Sequence, residues 1–130
     1  MSDSEGPLVL LMPLDKAREL ATECWRLEKF SKELSIFGND RLFLDRTNRC
    51  LNEILNSIGI RTIDLAGTAY DPGVLPEVLQ VQVDSTLPHD TSFIDETVSP
   101  TVMWNGKVIQ LGQIIVRQAP ARRESSGEMA

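Results

Sequence analysis

The stretch that decides the fold is residues 101–116, TVMWNGKVIQLGQIIV, in which Asn105-Gly106 separates two short apolar runs. An Asn-Gly pair readily adopts positive φ at both central positions of a two-residue turn, so it predicts a β-hairpin that joins the two runs. Leu111-Gly112 predicts a second turn, and the aliphatic residues at 114–116 predict a final strand. This end of the chain is therefore predicted to be β structure.

Upstream of this stretch, glycines and prolines interrupt the chain from Gly59 onward and argue against long helices. Leu79, Val81 and Val83 alternate with two glutamines, and this period of two predicts a half-buried strand. We therefore expect a small, mostly antiparallel β domain over residues 60–118.

The first half of the chain has a helical pattern instead. Leucines recur every seven residues in one predicted helix, and a second apolar stripe runs through residues 40–58. The connection at Gly38-Asn39 is short, and short connections place neighbouring helices antiparallel. We therefore predict an α+β fold in which a helical hairpin over residues 14–59 precedes the β domain.

The apolar stripes of these helices form one seam. Two helices alone bury little surface, so the seam requires the second half of the chain or another hairpin against it. Its predicted residues are Leu20, Leu27, Leu34, Leu44, Thr47, Leu51, Ile54 and Ile58.

The two ends of the chain are predicted to lie outside these units. Pro7 and Pro13 bracket the apolar run at residues 8–12, which predicts one short strand within an N-terminal segment, residues 1–13. The polar tail, residues 119–130, is predicted to be disordered.

Composition narrows the class of protein. The chain has 130 residues, the usual size of one domain, and 13 basic against 19 acidic residues give a net charge of -6. Nucleic acids and anionic membranes bind clusters of basic residues, so we expect neither as a partner. No segment reaches the roughly 20 apolar residues of a membrane span, and we expect a cytoplasmic protein.

Residues that carry chemistry are sparse. Cys24 and Cys50 both fall on predicted apolar helical stripes and are predicted to pack in the core. His89 is the sole histidine, and with two distant cysteines it makes no four-ligand zinc site. Asp71 precedes a proline and is predicted to build a turn. We expect no catalytic residue, no metal and no cofactor, and therefore no enzyme.

The two tryptophans each have two interpretations. Trp25 lies off the leucine stripe, which favours packing against the β domain, although a second contact surface is the alternative. Trp104 lies beside the hairpin turn, where it either anchors a partner or packs across onto its neighbouring strand.

The order of the motifs resembles the GrpE family, the nucleotide exchange factors of DnaK-type chaperones. An apolar helix ends in LNEILNSIGI, residues 51–60, and the closing hairpin reads WNGKVI, residues 104–109. Between them stand Ile63-Asp64, Gly67 and Tyr70-Asp71-Pro72. The likeness covers residues 50–118. Lys107 stands where the family has an arginine, and the family's long N-terminal stalk is missing.

The resemblance implies a co-chaperone or adaptor that binds the nucleotide-binding domain of a DnaK-like ATPase and promotes ADP release. It implies partner contacts from the hairpin, at Trp104, Asn105, Gly106, Lys107 and Val108. It also implies a homodimer whose four-helix bundle has its interface at Leu20, Leu27, Leu34, Leu44, Leu51, Ile54 and Ile58.

Two alternatives stay open. The first is a non-catalytic interaction module or assembly subunit unrelated to nucleotide exchange, in which the glycine-punctuated β strands form a lipoyl-like sandwich with Lys107 near a hairpin tip. The second is an enzyme with an unrecognised site.

Overall fold

A computed structural model describes residues 7–73 and 76–121 of the chain. Two helices, α1 (Leu14–Glu33) and α2 (Gly38–Ser57), come first, and six strands follow. The predicted α+β class and the order of helical and β halves are confirmed.

The strands form two three-stranded sheets. Sheet A has the order β1-β4-β5 and is antiparallel throughout. Sheet B has the order β2-β6-β3, in which β6 is antiparallel to β3 but parallel to β2. The strand bounds are β1 Ile60–Ile63, β2 Glu77–Val83, β3 Ser92–Ser99, β4 Thr101–Trp104, β5 Lys107–Gln110 and β6 Gln113–Gln118. The β domain is thus mostly antiparallel, as predicted.

The turn between β4 and β5 is the one that the sequence predicts. Asn105 has φ 48° and Gly106 has φ 83°, so both central residues adopt the left-handed region that a two-residue hairpin turn of type I′ requires. Trp104 and Lys107 are the last paired residues on either side of this turn.

Helices α1 and α2 form an antiparallel hairpin joined by residues 34–37. A buried polar link lies between them, where Asn48 Nδ2 donates to Ser31 Oγ at 2.8 Å. Further along, Asn52 Nδ2 donates to Glu28 Oε1 at 3.0 Å. At the connection, Arg41 Nη2 donates to the carbonyls of Ser31 and Leu34. Residues later in α2 thus meet residues earlier in α1, which defines the antiparallel arrangement.

The apolar interior is divided into two clusters. The first joins both helices to sheet A, and its buried members are Ala17, Ala21, Cys24, Leu55, Ile60 and Val102. The second belongs to sheet B and consists of Ile94, Ile114 and Val116, covered by Leu65, Tyr70 and Val78. The small side chains of α1 allow its backbone to approach sheet A closely.

Three predictions about individual segments are wrong. Residues 8–12 form no strand, because no strand of the described chain pairs with them. Cys50 is exposed, because the side of α2 that carries it does not face α1, whereas Cys24 is buried as predicted. Leu79, Val81 and Val83 are exposed, because β2 is an edge strand and the side chains that cover sheet B reach only Val78.

The chain is anchored just past its last strand. Ala119 is buried and its N–H donates to the Thr91 carbonyl at 2.9 Å, so the chain is held in place just past β6. The rest of the predicted disordered tail, from residue 122, lies outside the described residues.

Neither described helix is both long and apolar enough to cross a membrane.

Candidate partner-binding surfaces

The β4–β5 hairpin brings together the five residues predicted to contact a partner. Trp104, Asn105, Gly106, Lys107 and Val108 are all exposed at its tip. Trp104 pairs with Ile60 across β1 and β4 and still keeps 41% of its surface in solvent. An exposed tryptophan at a turn is the kind of side chain that concentrates binding energy at protein interfaces.

The tip of this hairpin is anchored to the end of α2. The Asn105 N–H donates to the Gly59 carbonyl at 2.8 Å. Gly59 has φ 85° and follows Ile58, the C-cap residue of α2, as expected of a terminating glycine. The Asn105 side chain packs so closely on Gly59 that a Cβ at position 59 would overlap its amide oxygen. The hairpin tip therefore has a fixed position relative to the helices.

The rest of the hairpin is attached to α1. Gln110 Nε2 donates to Thr22 Oγ1 at 3.0 Å and to Ser99 Oγ at 3.3 Å. Arg18 Nη1 donates to the Ile109 carbonyl at 3.2 Å, which provides a partner for a main-chain group at the edge of sheet A. Side chains of one helix thus hold the last two residues of β5.

A second joint connects α1 to sheet B through Asp64, the residue after β1. Trp25 Nε1 donates to Asp64 Oδ2 at 2.9 Å, and Thr97 Oγ1 donates to Asp64 Oδ1 at 2.6 Å. The Ala66 N–H also donates to Oδ1, at 3.0 Å. Trp25 is buried, so it packs against the β domain, which was the favoured of its two interpretations.

This joint favours the ionised form of Asp64. Partial burial by itself would raise the pKa of the carboxyl, but the hydrogen bonds from Thr97, Ala66 and Trp25 outweigh it, and the pKa is lowered. The Lys29 charge acts in the same direction. Lys29 Nζ lies 4.9 Å from the centroid of the Trp25 ring and donates to the Thr97 carbonyl at 2.9 Å. One carboxylate therefore joins the helix to both sheets.

A third surface is the side of the helical hairpin that faces away from the sheets. On α1, Trp25 and Lys29 contact the sheets, whereas Leu20 and Leu27 lie roughly half a turn away, by the 100° step per residue of a helix. We call this surface the outer helical face, and define it by the exposed residues Leu20, Leu27, Phe30, Phe43, Cys50 and Ile54.

The seven residues predicted to form a dimer interface separate into two groups. Leu20, Leu27, Ile54 and Ile58 are exposed. Leu34, Leu44 and Leu51 are only half-buried, and Leu51 packs against the core cluster between the helices and sheet A. Leu51 thus contributes to the interior of a single chain.

Sequence reasoning missed Phe43, which is 71% exposed on the outer helical face. Phe43, Thr47, Cys50 and Ile54 follow one another at spacings of four, three and four residues, which places them on one side of α2. This spacing is present in the sequence. Leu44, the residue after Phe43, begins a second apolar row with the same helical spacing, and the sequence alone does not tell which of the two rows faces α1.

The exposed aliphatic residues of β2 were also missed as a surface. Leu79 has no partner in the β2–β6 register, because the pairing shifts between Val78 and Gln80. From there on Val81 pairs with Val116 and Val83 pairs with Gln118, and Leu79, Val81 and Val83 are 48–65% exposed. No sequence signal identifies which strand lies at the edge of a sheet.

Charged clusters elsewhere have local roles. Arg117 contacts Asp95 at 3.1 Å and Asp84 at 3.5 Å across the surface of sheet B. Asp71 Oδ1 accepts from the Gly73 N–H at 3.0 Å and builds the predicted turn. His89 lies on an exposed loop beside Asp90. In residues 7–73 and 76–121, no three histidine, cysteine or acidic side chains converge as metal ligands would.

Neither a scan against protein-family models nor a search of the curated proteins found a match to this chain.

Proposed function

We propose that this chain is a GrpE-like co-chaperone or adaptor that binds the nucleotide-binding domain of a DnaK-like ATPase and promotes ADP release. The observation that carries the proposal is the β4–β5 hairpin. Its exposed tip holds the residues at which the resemblance places partner contacts, and two helices hold it rigidly.

Rigidity supports this function because an exchange factor acts by differential binding. It must favour the open, nucleotide-free state of the ATPase over the closed state, and only a difference in affinity between the two states shifts their equilibrium. A hairpin fixed at Gly59 and along α1 keeps its shape when it is bound. A flexible hairpin would adapt to both states and would discriminate between them less.

The outer helical face supports the second part of the proposal, a homodimer with a four-helix bundle. Its exposed leucines, isoleucine and phenylalanines form an apolar surface on two antiparallel helices. Large exposed apolar patches are typical of interaction sites, and helical hairpins bury such faces by packing on a second pair. In the proposed dimer, this face packs on its symmetry-related copy.

The test is the release rate of a fluorescent ADP analogue from a DnaK-like ATPase of the same organism, with and without this protein. We expect faster release, together with an ADP affinity that falls by about 5- to 150-fold, the range of ordinary coupling free energies. Trp104→Ala is expected to weaken binding about 30-fold, the cost of removing an interface anchor of roughly 2 kcal/mol.

A matched control is Phe37→Ala, which removes an exposed aromatic side chain from the connection between the helices. This variant should accelerate ADP release to the same extent as the unaltered chain. The proposal is wrong if the unaltered chain neither binds the ATPase nor changes the release rate.

The alternative function is a protein-interaction module unrelated to nucleotide exchange. The exposed aliphatic residues of β2 favour it, since they form a contact surface that the resemblance does not use. Binding of another protein that survives Trp104→Ala but is lost in Val81→Asp would support this alternative over the exchange factor.

A further inference from the structure

Residues 8–12 form an apolar segment that is exposed to solvent. Leu8, Val9, Leu10, Leu11 and Met12 are 49–97% exposed and precede α1 as an irregular stretch. Pro7 and Pro13 lack an N–H group, but the five residues between them all have one and can pair as a strand. Such a segment is costly to leave in water and is a candidate for β-pairing.

One strand edge of sheet B has the free main-chain groups with which such a segment can pair. The β3 edge of sheet B is covered, because Ile94 N–H donates to the Thr68 carbonyl and Tyr70 N–H donates to the Ser92 carbonyl. Strand β2, at the opposite edge, pairs on one side with β6. Its other side has no main-chain partner in the described chain, and it exposes three aliphatic side chains. Natural proteins rarely leave an apolar edge strand open, because it is a template for pairing.

We propose that residues Leu8–Met12 of one copy add as a strand to the free edge of β2 in a second copy. Within residues 7–73 and 76–121 both surfaces remain unpaired, and each supplies what the other lacks, so a second copy of this chain is the partner that satisfies both. Pairing them satisfies the main-chain groups of both strands and removes both sets of aliphatic side chains from water. The contact is independent of the proposed exchange function and of the outer helical face.

The area of this contact reaches that of a specific interface when it is reciprocal. Fully burying an aliphatic side chain removes roughly 60–120 Å² of apolar surface from water. The three side chains of β2 are already about half covered in the single chain, so they and three alternate side chains of the segment bury roughly 270–540 Å². Two reciprocal contacts bury roughly 550–1,100 Å², and the upper end of this range reaches the ~1,000 Å² expected of a specific interface.

The experiment joins two differently tagged full-length chains with a short bismaleimide. Both chains carry Cys50→Ser, since that thiol is exposed, and one adds Val9→Cys while the other adds Val81→Cys. We expect a crosslinked product that contains both tags. Glu53→Cys, in place of Val81→Cys, is the control for random collision and should give at least about ten-fold less product.

A second variant tests the pairing itself. Leu10→Asp alters a side chain that is 97% exposed in the single chain, so it should leave folding unchanged. It should reduce the mixed product at least about ten-fold, because it buries an unpaired carboxylate at the contact. Equal crosslinking to positions 81 and 53, or no effect of Leu10→Asp, would overturn the proposal. A product formed only within one chain that carries both cysteines would overturn it as well.

Discussion

The N–H of Asn105, at the tip of the β4–β5 hairpin, donates to the carbonyl of Gly59, two residues past the end of α2. The two residues are 46 positions apart in the chain, and each has positive φ. One contact thus holds the end of the helical hairpin against the candidate partner-binding turn. Five predictions concern this contact, the Asp64 joint, the two cysteines and the helical hairpin.

Gly59→Ala should lower the free energy of unfolding by about 2 kcal/mol. A Cβ costs roughly 1–2 kcal/mol at positive φ, and its overlap with the Asn105 side chain forces that side chain to turn away, which adds roughly 0.5–1 kcal/mol. Gly67→Ala is the matched control, because Gly67 has φ 88° but no atom within 4 Å of the added carbon. Urea unfolding of both variants separates backbone strain from the clash, and equal losses would contradict the role of Asn105.

Asp64→Asn should make stability less dependent on pH. The pKa of Asp64 is lowered in the folded state, so its contribution is present above the unfolded value of about 3.9 and is lost as pH falls through the lower folded pKa. The difference in unfolding free energy between the unaltered chain and Asp64→Asn should therefore be largest near pH 6 and shrink below about pH 4. Denaturation monitored by tryptophan fluorescence measures it, and a constant difference would contradict the joint.

The two cysteines should react differently with a thiol reagent. Burial, with a smaller effect of the Glu23 charge, raises the pKa of Cys24, so this thiol should stay protonated and unreactive until the chain unfolds. Cys50 is exposed in a single chain and should react at once in dilute solution. Its labelling should slow as the protein concentration rises if the outer helical face is the dimer interface. Labelling that is fast at every concentration would argue against that interface.

Phe43→Asp should dissociate the proposed dimer and leave the stability of the single chain nearly unchanged, because Phe43 is 71% exposed. Leu42→Asp is the matched control on the same helix. It replaces a neighbouring exposed side chain that points about 100° away from Phe43, and it should leave the dimer intact.

Leu51→Asp should destabilise the single chain, unlike Phe43→Asp and Leu42→Asp, because Leu51 packs against the core cluster of its own chain. We expect it to lower the unfolding free energy by about 2–4 kcal/mol whether or not the protein dimerises. Light scattering across a dilution series, combined with thermal unfolding, distinguishes these effects. A protein that is a monomer at every concentration would contradict the bundle.

Local signals in the sequence predicted most of the secondary structure. Asn105-Gly106 located the hairpin because few residue pairs tolerate positive φ twice in succession. Gly59 located the end of α2 for the same reason. The apolar stripes predicted both helices, although they did not tell which apolar residues face the sheets and which face solvent. That distinction depends on elements distant in sequence, so Cys50 and Leu79 were placed incorrectly.

The sequence by itself determined the α+β order, the helical hairpin and the final β strands, because turns and periodic patterns act between residues close along the chain. Only the tertiary structure decided the parallel pairing of β2 with β6, the exposed edge of β2 and the joint of Asp64 with Trp25 and Thr97. Each of these features is a contact, or the lack of one, between elements that are far apart in the chain. The physical reason is that burial belongs to the packed arrangement, whereas the period of a stripe belongs to the chain alone.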